Sequence, residues 1–130
     1  MQKVVIDTNV IVSAALTEKG NPAEIMRLVS EHKLCMFYSE DILREYTEVI
    51  SRSKFGISTE TQLEILTKII ESGILVEPAI CNVELQDETD RIFYDAARES
   101  GAVLVTGNIK DYPNEPFILT PAQFLDVFLS

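Results

Sequence analysis

Histidine occurs once in this chain of 130 residues, cysteine twice, and basic side chains only 11 times against 21 acidic ones. Each shortage removes a class of chemistry. The single His32, in His32-Lys33 ahead of an apolar run, reads as a surface turn residue and argues against a histidine-based nuclease or a zinc site. Cys35 and Cys81 lie far apart and lack metal-site spacing, so they read as two buried free thiols in a reducing compartment. No apolar stretch approaches the ~20 residues that cross a bilayer. The N-terminus reaches its first strand without the basic region, long apolar segment or cleavage site of a signal peptide. A cytoplasmic protein with no membrane segment is therefore expected. The net charge of −10 argues against general nucleic-acid binding through a basic surface. It leaves room for a nucleic-acid enzyme, because carboxylates gathered around a divalent metal carry negative formal charge until the metal arrives. For most of the acids, keeping the protein soluble is a sufficient role.

What is present reads as one domain over residues 1–130, with a hydrophobic content of 46% to form its core. Five short apolar runs are expected strands: Lys3–Ile6, Leu34–Tyr38, Ile74–Val76, Val103–Thr106 and Phe117–Leu119. Helical patterns fill the spaces. One begins at Asn21-Pro22 with Ile25, Met26 and Val29 on its stripe. A second runs from about Glu40 to Arg52 behind Ser39 as N-cap. A third starts at Ser58 or Thr59 and ends near Gly73, a fourth spans about Glu88 to Ser100 before Gly101, and Pro121 opens a last one through Leu129. This alternation implies an α/β fold with a mostly parallel sheet covered by helices on both faces. The periodicity leaves the strand order open.

Asp7 follows the β-branched run Val4-Val5-Ile6, so it leaves the core at the carboxyl end of a strand, the edge where open parallel sheets bind ligands. Helical phase selects its candidate partners. In the second helix Glu45 borders the stripe Ile42, Tyr46, Val49 and Ile50, and reads equally as a boundary glutamate or as an acid reaching over the sheet edge. In the fourth, Asp90 borders the stripe Ile92, Phe93, Ala96 and Ala97, whereas Asp95 points away and is expected in solvent. Asp90 also suits a first-turn dipole role, with Asp87 as the N-cap. After the fourth strand, Thr106-Gly107-Asn108-Ile109-Lys110-Asp111 offers Asp111 as a further acid and Thr106 and Asn108 as groups that orient water or phosphate; turn chemistry is the other reading of that loop. An acid set without His or Cys is what Mg²⁺ or Mn²⁺ requires, and such a site activates water and stabilises the leaving oxygen in phosphodiester cleavage.

Four pieces together resemble a PIN-domain protein: Val5-Ile6-Asp7-Thr8-Asn9-Val10, the helical Glu45, Asp90-Arg91-Ile92-Phe93-Tyr94-Asp95-Ala96-Ala97, and Leu104-Val105-Thr106-Gly107-Asn108-Ile109-Lys110-Asp111-Tyr112-Pro113. The resemblance covers nearly the whole chain and is greatest to bacterial PIN-family toxin components of toxin–antitoxin systems, similar to VapC toxins. It implies a three-layer α/β/α fold with a five-stranded parallel sheet of order 3-2-1-4-5. It also implies a metal-dependent ribonuclease with Mg²⁺ or Mn²⁺ held by Asp7, Glu45 and Asp90. The fourth position stays open between Asn108 and Asp111. RNA as substrate, a cognate antitoxin protein as partner and a homodimer are implied in the same way. Arg44, Arg52, Lys54 and Lys110 are the basic residues available for local RNA contacts.

Two other readings differ in class. A non-catalytic PIN scaffold would bind RNA or a protein partner without turnover. A response-regulator receiver also gathers acids at strand ends, but needs a lysine after the last strand, where this chain has Thr120-Pro121.

Overall fold

Strand β1 (Lys3–Ile6) is buried from Val4 to Ile6, each at 0% exposure, and it occupies the middle of the sheet. The structure, a computed structural model, describes residues Met1–Ser130. After β1 come α1 (Thr8–Leu16), α2 (Asn21–Ser30), β2 (Cys35–Tyr38), α3 (Glu40–Ile50), α4 (Thr59–Ser72), β3 (Ile74–Leu75), α5 (Arg91–Ser100), β4 (Val103–Val105), β5 (Ile118–Leu119) and α6 (Pro121–Leu129). The sheet has five strands in the order β3-β2-β1-β4-β5, all parallel. A near-continuous β-branched run without alternation is what a strand covered on both faces requires, and β1 has that composition. The result is a three-layer α/β/α fold, as the resemblance implies.

Strand register places the site. Val4, Val5 and Ile6 pair with Val103, Leu104 and Val105, so β1 and β4 run side by side to a common carboxyl edge. The Asp7 amide continues this ladder by donating to the Val105 carbonyl at 2.9 Å. Strand order reverses between these neighbours, the position at which open parallel sheets bind ligands. Helix α5 packs over β1, β2 and β4 and touches α3. Its core face is Phe93, Tyr94, Ala96 and Ala97. Tyr46 of α3 is fully buried and donates its hydroxyl to the Ile6 carbonyl, one residue before Asp7.

Sequence periodicity misses α1. Val10-Ile11-Val12 is apolar and β-branched and carries low helix propensity. Val10, Ile11 and Val12 are nevertheless buried, and Asp7 caps the helix by accepting from the Thr8 amide. Burial of the first half of the helix outweighs intrinsic preference here. Other boundaries move slightly: Val76 and Thr106 lie just past the strands but still donate to Tyr38 and Leu119 across the ladder. Residues Glu88–Asp90 form a single 3₁₀ turn ahead of α5.

Asp95 contradicts its expected exposure. It is 5% exposed, accepts from the Cys81 amide at 3.4 Å and lies 3.6 Å from Arg91. The reason is the irregular segment between β3 and α5. Arg91 donates to the carbonyls of Cys81 at 2.8 Å and Val83 at 2.6 Å, which lays this segment over the side of α5 that helical phase assigns to solvent. Cys35 and Cys81 are free and only partly buried. His32 is an exposed turn residue with φ 59°.

Candidate active site

Asp7 is the best-connected side chain at the carboxyl edge. It is 6% exposed, and every hydrogen bond to it comes from a donor. Oδ1 accepts from the Thr8 amide at 2.8 Å. Oδ2 accepts from the hydroxyls of Thr106 at 2.8 Å and Tyr112 at 2.9 Å, with the Asn9 amide group further away at 3.4 Å. No cation pairs with it. Burial raises its pKa, the hydrogen bonds from Thr106, Tyr112 and Thr8 oppose that rise, and the charge of Asp111 adds to it.

Glu45, on α3, is half-buried and accepts a hydrogen bond from the Thr8 hydroxyl. Burial raises its carboxyl pKa, the Thr8 bond lowers it, and the charge of Asp7 raises it again. Asp90 closes the turn before α5 and is partly buried. It makes no side-chain capping bond, and Asp87 performs the capping by accepting from the Thr89 amide at 2.9 Å. The dipole reading of Asp90 therefore loses its hydrogen-bonding part. Burial first, then the charges of Asp7, Asp87, Asp111 and Glu45, push the Asp90 carboxyl up to about 7. Asp111 is exposed on the turn Ile109–Asp111, and its charge reaches both Asp7 and Asp90.

The four acids thus come from four separate segments and act on one another electrostatically. Their donor chemistry fits a hard divalent cation: the groups on offer are carboxylate oxygens, and no basic side chain is among the charges that act on Asp90. No group of three or more His, Cys, Asp and Glu side chains stands close enough to hold a metal ion as the side chains are placed. A recess of about 420 Å³ lined by Ile11, Met26, Ile65 and Ile69 contains none of these acids, so the titration chemistry and not cavity size marks the site.

Thr106 is fully buried and acts as a link. Its hydroxyl donates to Asp7 and accepts from the Asn108 amide at 3.0 Å. The exposed Asn108 side chain makes no hydrogen bond, whereas Asn9 accepts from the Gly107 amide at 2.9 Å. A Cβ at Gly107 would stand 3.1 Å from Asn9 Oδ1, so the glycine permits that approach. Among the basic residues proposed for RNA contact, Arg44 pairs with Asp41 at 3.0 Å and Arg52 with Glu48 at 2.8 Å, while Lys54 lies over the Phe55 ring.

Sequence reasoning overlooked two side chains here. Thr8 is within the Asp7-Thr8-Asn9 motif, but its contact with Glu45 depends on how α1 and α3 pack. Tyr112 did carry a signal: an aromatic residue inside a polar loop is readily explained when its ring is buried and its hydroxyl has a partner.

Residues 3–110 match the PIN domain family. An uncharacterized protein of Methanocaldococcus jannaschii is 33% identical over 109 residues, which covers 82% of this chain and 70% of that protein. The crystal structure of VapBC2 from Rickettsia felis, bound to a DNA fragment from their promoter, superposes with a TM-score of 0.63 at 21% identity. The match covers 91% of this chain and 97% of that chain, and at this identity it shows the fold.

Proposed function

Because the chain belongs to the PIN-domain family, we propose that it is a metal-dependent endoribonuclease, the toxin of a toxin–antitoxin pair. The observation that carries this reading is Asp90. Its carboxyl is pushed up to about 7 by burial and by surrounding acids, an imbalance that a divalent cation would correct.

Asp7, Glu45 and Asp90 would hold Mg²⁺ or Mn²⁺, with Asp111 contributing charge from the rim. When bound, the ion supplies charge neutralisation at the phosphate and a water acidified toward neutral pH. The chain's own part is preorganisation. Thr8 holds the Glu45 carboxylate by one hydrogen bond, and the Thr106 hydroxyl fixes Asp7 while being fixed by Asn108. The free Asn108 side chain is available to donate to a phosphate oxygen or a water. RNA is the substrate in this reading, the site lies in a cytoplasmic homodimer, and similarity to VapBC2 supports an antitoxin-class protein as partner.

The test is cleavage of single-stranded RNA with Mn²⁺ present and removed by chelation. Cleavage should require the metal and disappear in Asp7→Asn and in Asp90→Asn. Retained cleavage in both folded variants would overturn the site. If the wild type binds RNA or a protein but shows neither turnover nor carboxylate-dependent Mn²⁺ binding, the protein is a scaffold.

A further inference from the structure

We propose that Tyr112 is a positioning residue that fixes which oxygen of Asp7 remains available for a ligand; the inference rests on the metal-site reading above. An ionised carboxylate offers about four acceptor sites, two on each oxygen. On Asp7, Oδ2 takes both short side-chain hydrogen bonds, from Thr106 at 2.8 Å and from Tyr112 at 2.9 Å. Those two donors fill Oδ2, and Asn9 at 3.4 Å adds only a long contact. Oδ1 accepts one bond, from the Thr8 amide at 2.8 Å, and so keeps one acceptor position. The two oxygens are therefore unequal, and Tyr112 supplies part of the inequality.

The ring is held firmly enough to do this. Tyr112 is 7% exposed and belongs to the hydrophobic core, and Asp7 is the acceptor of its hydroxyl. It follows the turn Ile109–Asp111, whose closing bonds run from the Asp111 amide to the Asn108 carbonyl and from the Tyr112 amide to the Ile109 carbonyl. The turn thus sends adjacent residues in different directions, with Asp111 exposed at the rim and Tyr112 buried against Asp7. Thr106 approaches the same oxygen from the end of β4. Two donors from different segments restrain rotation of the carboxylate about its own axis, which neither donor does alone. Groups that orient a ligating carboxylate typically change metal affinity or activity about 10- to 100-fold when removed.

Tyr112→Phe keeps the ring and deletes the hydroxyl. We would measure Mn²⁺ binding calorimetrically for wild type, Tyr112→Phe, Thr106→Val, the double variant and Asp7→Asn, with thermal melting in chelator as the folding check. Tyr112→Phe should melt within a few degrees of wild type, bind Mn²⁺ about 10-fold more weakly, and lower kcat for RNA cleavage while leaving KM for RNA unchanged. Because both hydroxyls restrain one oxygen, the double variant should lose less than the product of the single losses. Thr106→Val provides the same readout should Tyr112→Phe fail to fold. Loss of binding in Asp7→Asn with wild-type binding in Tyr112→Phe overturns this inference alone. Equal binding by wild type and Asp7→Asn overturns the metal site and this inference with it.

Discussion

The Thr8 hydroxyl donates to the Glu45 carboxylate, joining the first turn of α1 to the middle of α3. One residue therefore serves two acids, because its backbone amide also donates to Asp7. Thr8→Val should remove the support of Glu45 and keep that of Asp7. We expect a loss of about 1 kcal/mol in urea unfolding from the missing hydrogen bond. The Glu45 carboxyl, already raised by burial, should titrate higher still, and Thr8→Ser should restore both properties.

Asp90 sets a pH dependence of the metal-free protein. Its carboxyl ionises near 3.8 in the unfolded chain and only at about 7 in the folded one. Between these values the folded state binds more protons, so the stability this group contributes falls as pH rises through that window. Asp7 and Glu45, also raised, act with the same sign. In chelator, Asp90→Asn should be more stable than wild type at pH 8, with little difference at pH 4. The gain should be about 1 kcal/mol, well below the full linkage value, because Asp90 is only partly buried and solvent screens it. Thermal melts at the two pH values, repeated with saturating Mn²⁺ to cancel the effect, provide the measurement.

Asp111 acts from the rim through its charge. Asp111→Asn should weaken Mn²⁺ binding roughly fivefold, about 1 kcal/mol, a size suited to one exposed charge at intermediate distance. Asp7→Asn should cost more than 100-fold. Equal losses in calorimetric titration would make Asp111 a direct ligand.

Arg91 fastens the segment before α5. Its guanidinium donates to two carbonyls of that segment, at Cys81 and Val83, and pairs with Glu88. Arg91→Met should cost about 2 kcal/mol, since two partly buried carbonyls lose charged donors and the buried Asp95 loses its cationic neighbour. Hydrogen exchange should rise at the Cys81 and Val83 amides before it rises in β1.

Much of this arrangement is readable from residue order. The β-branched run ending in Asp7, the Ser39 cap and the helical phase of Glu45 are local signals, and the structure contains the corresponding elements, whereas Asp90, expected inside a helix from about Glu88, lies in the 3₁₀ turn ahead of α5. Three features are not local. Helix α1 buries the consecutive residues Val10, Ile11 and Val12, so its apolar positions do not follow a helical stripe. Asp95 is buried by a segment without regular periodicity, and pattern alone does not reveal where such a segment lies. Tyr112 and Asp7 meet only because β1 and β4 are adjacent, a neighbour relation supplied by the family resemblance and absent from any window of sequence.

The central position of β1 carries a consequence for synthesis. Asp7 is made well before its two hydroxyl donors, Thr106 and Tyr112, which lie 99 and 105 residues further along. Contacts this distant in sequence form only after a large loop has closed. A growing chain that has not yet reached Thr106 and Tyr112 holds the Asp7 carboxylate only through the neighbouring Thr8 amide, so the full set of donors forms long after the acid itself is made. Any function that needs all three donors on Asp7 would stay silent on the nascent chain until β4 and the loop after it dock beside β1.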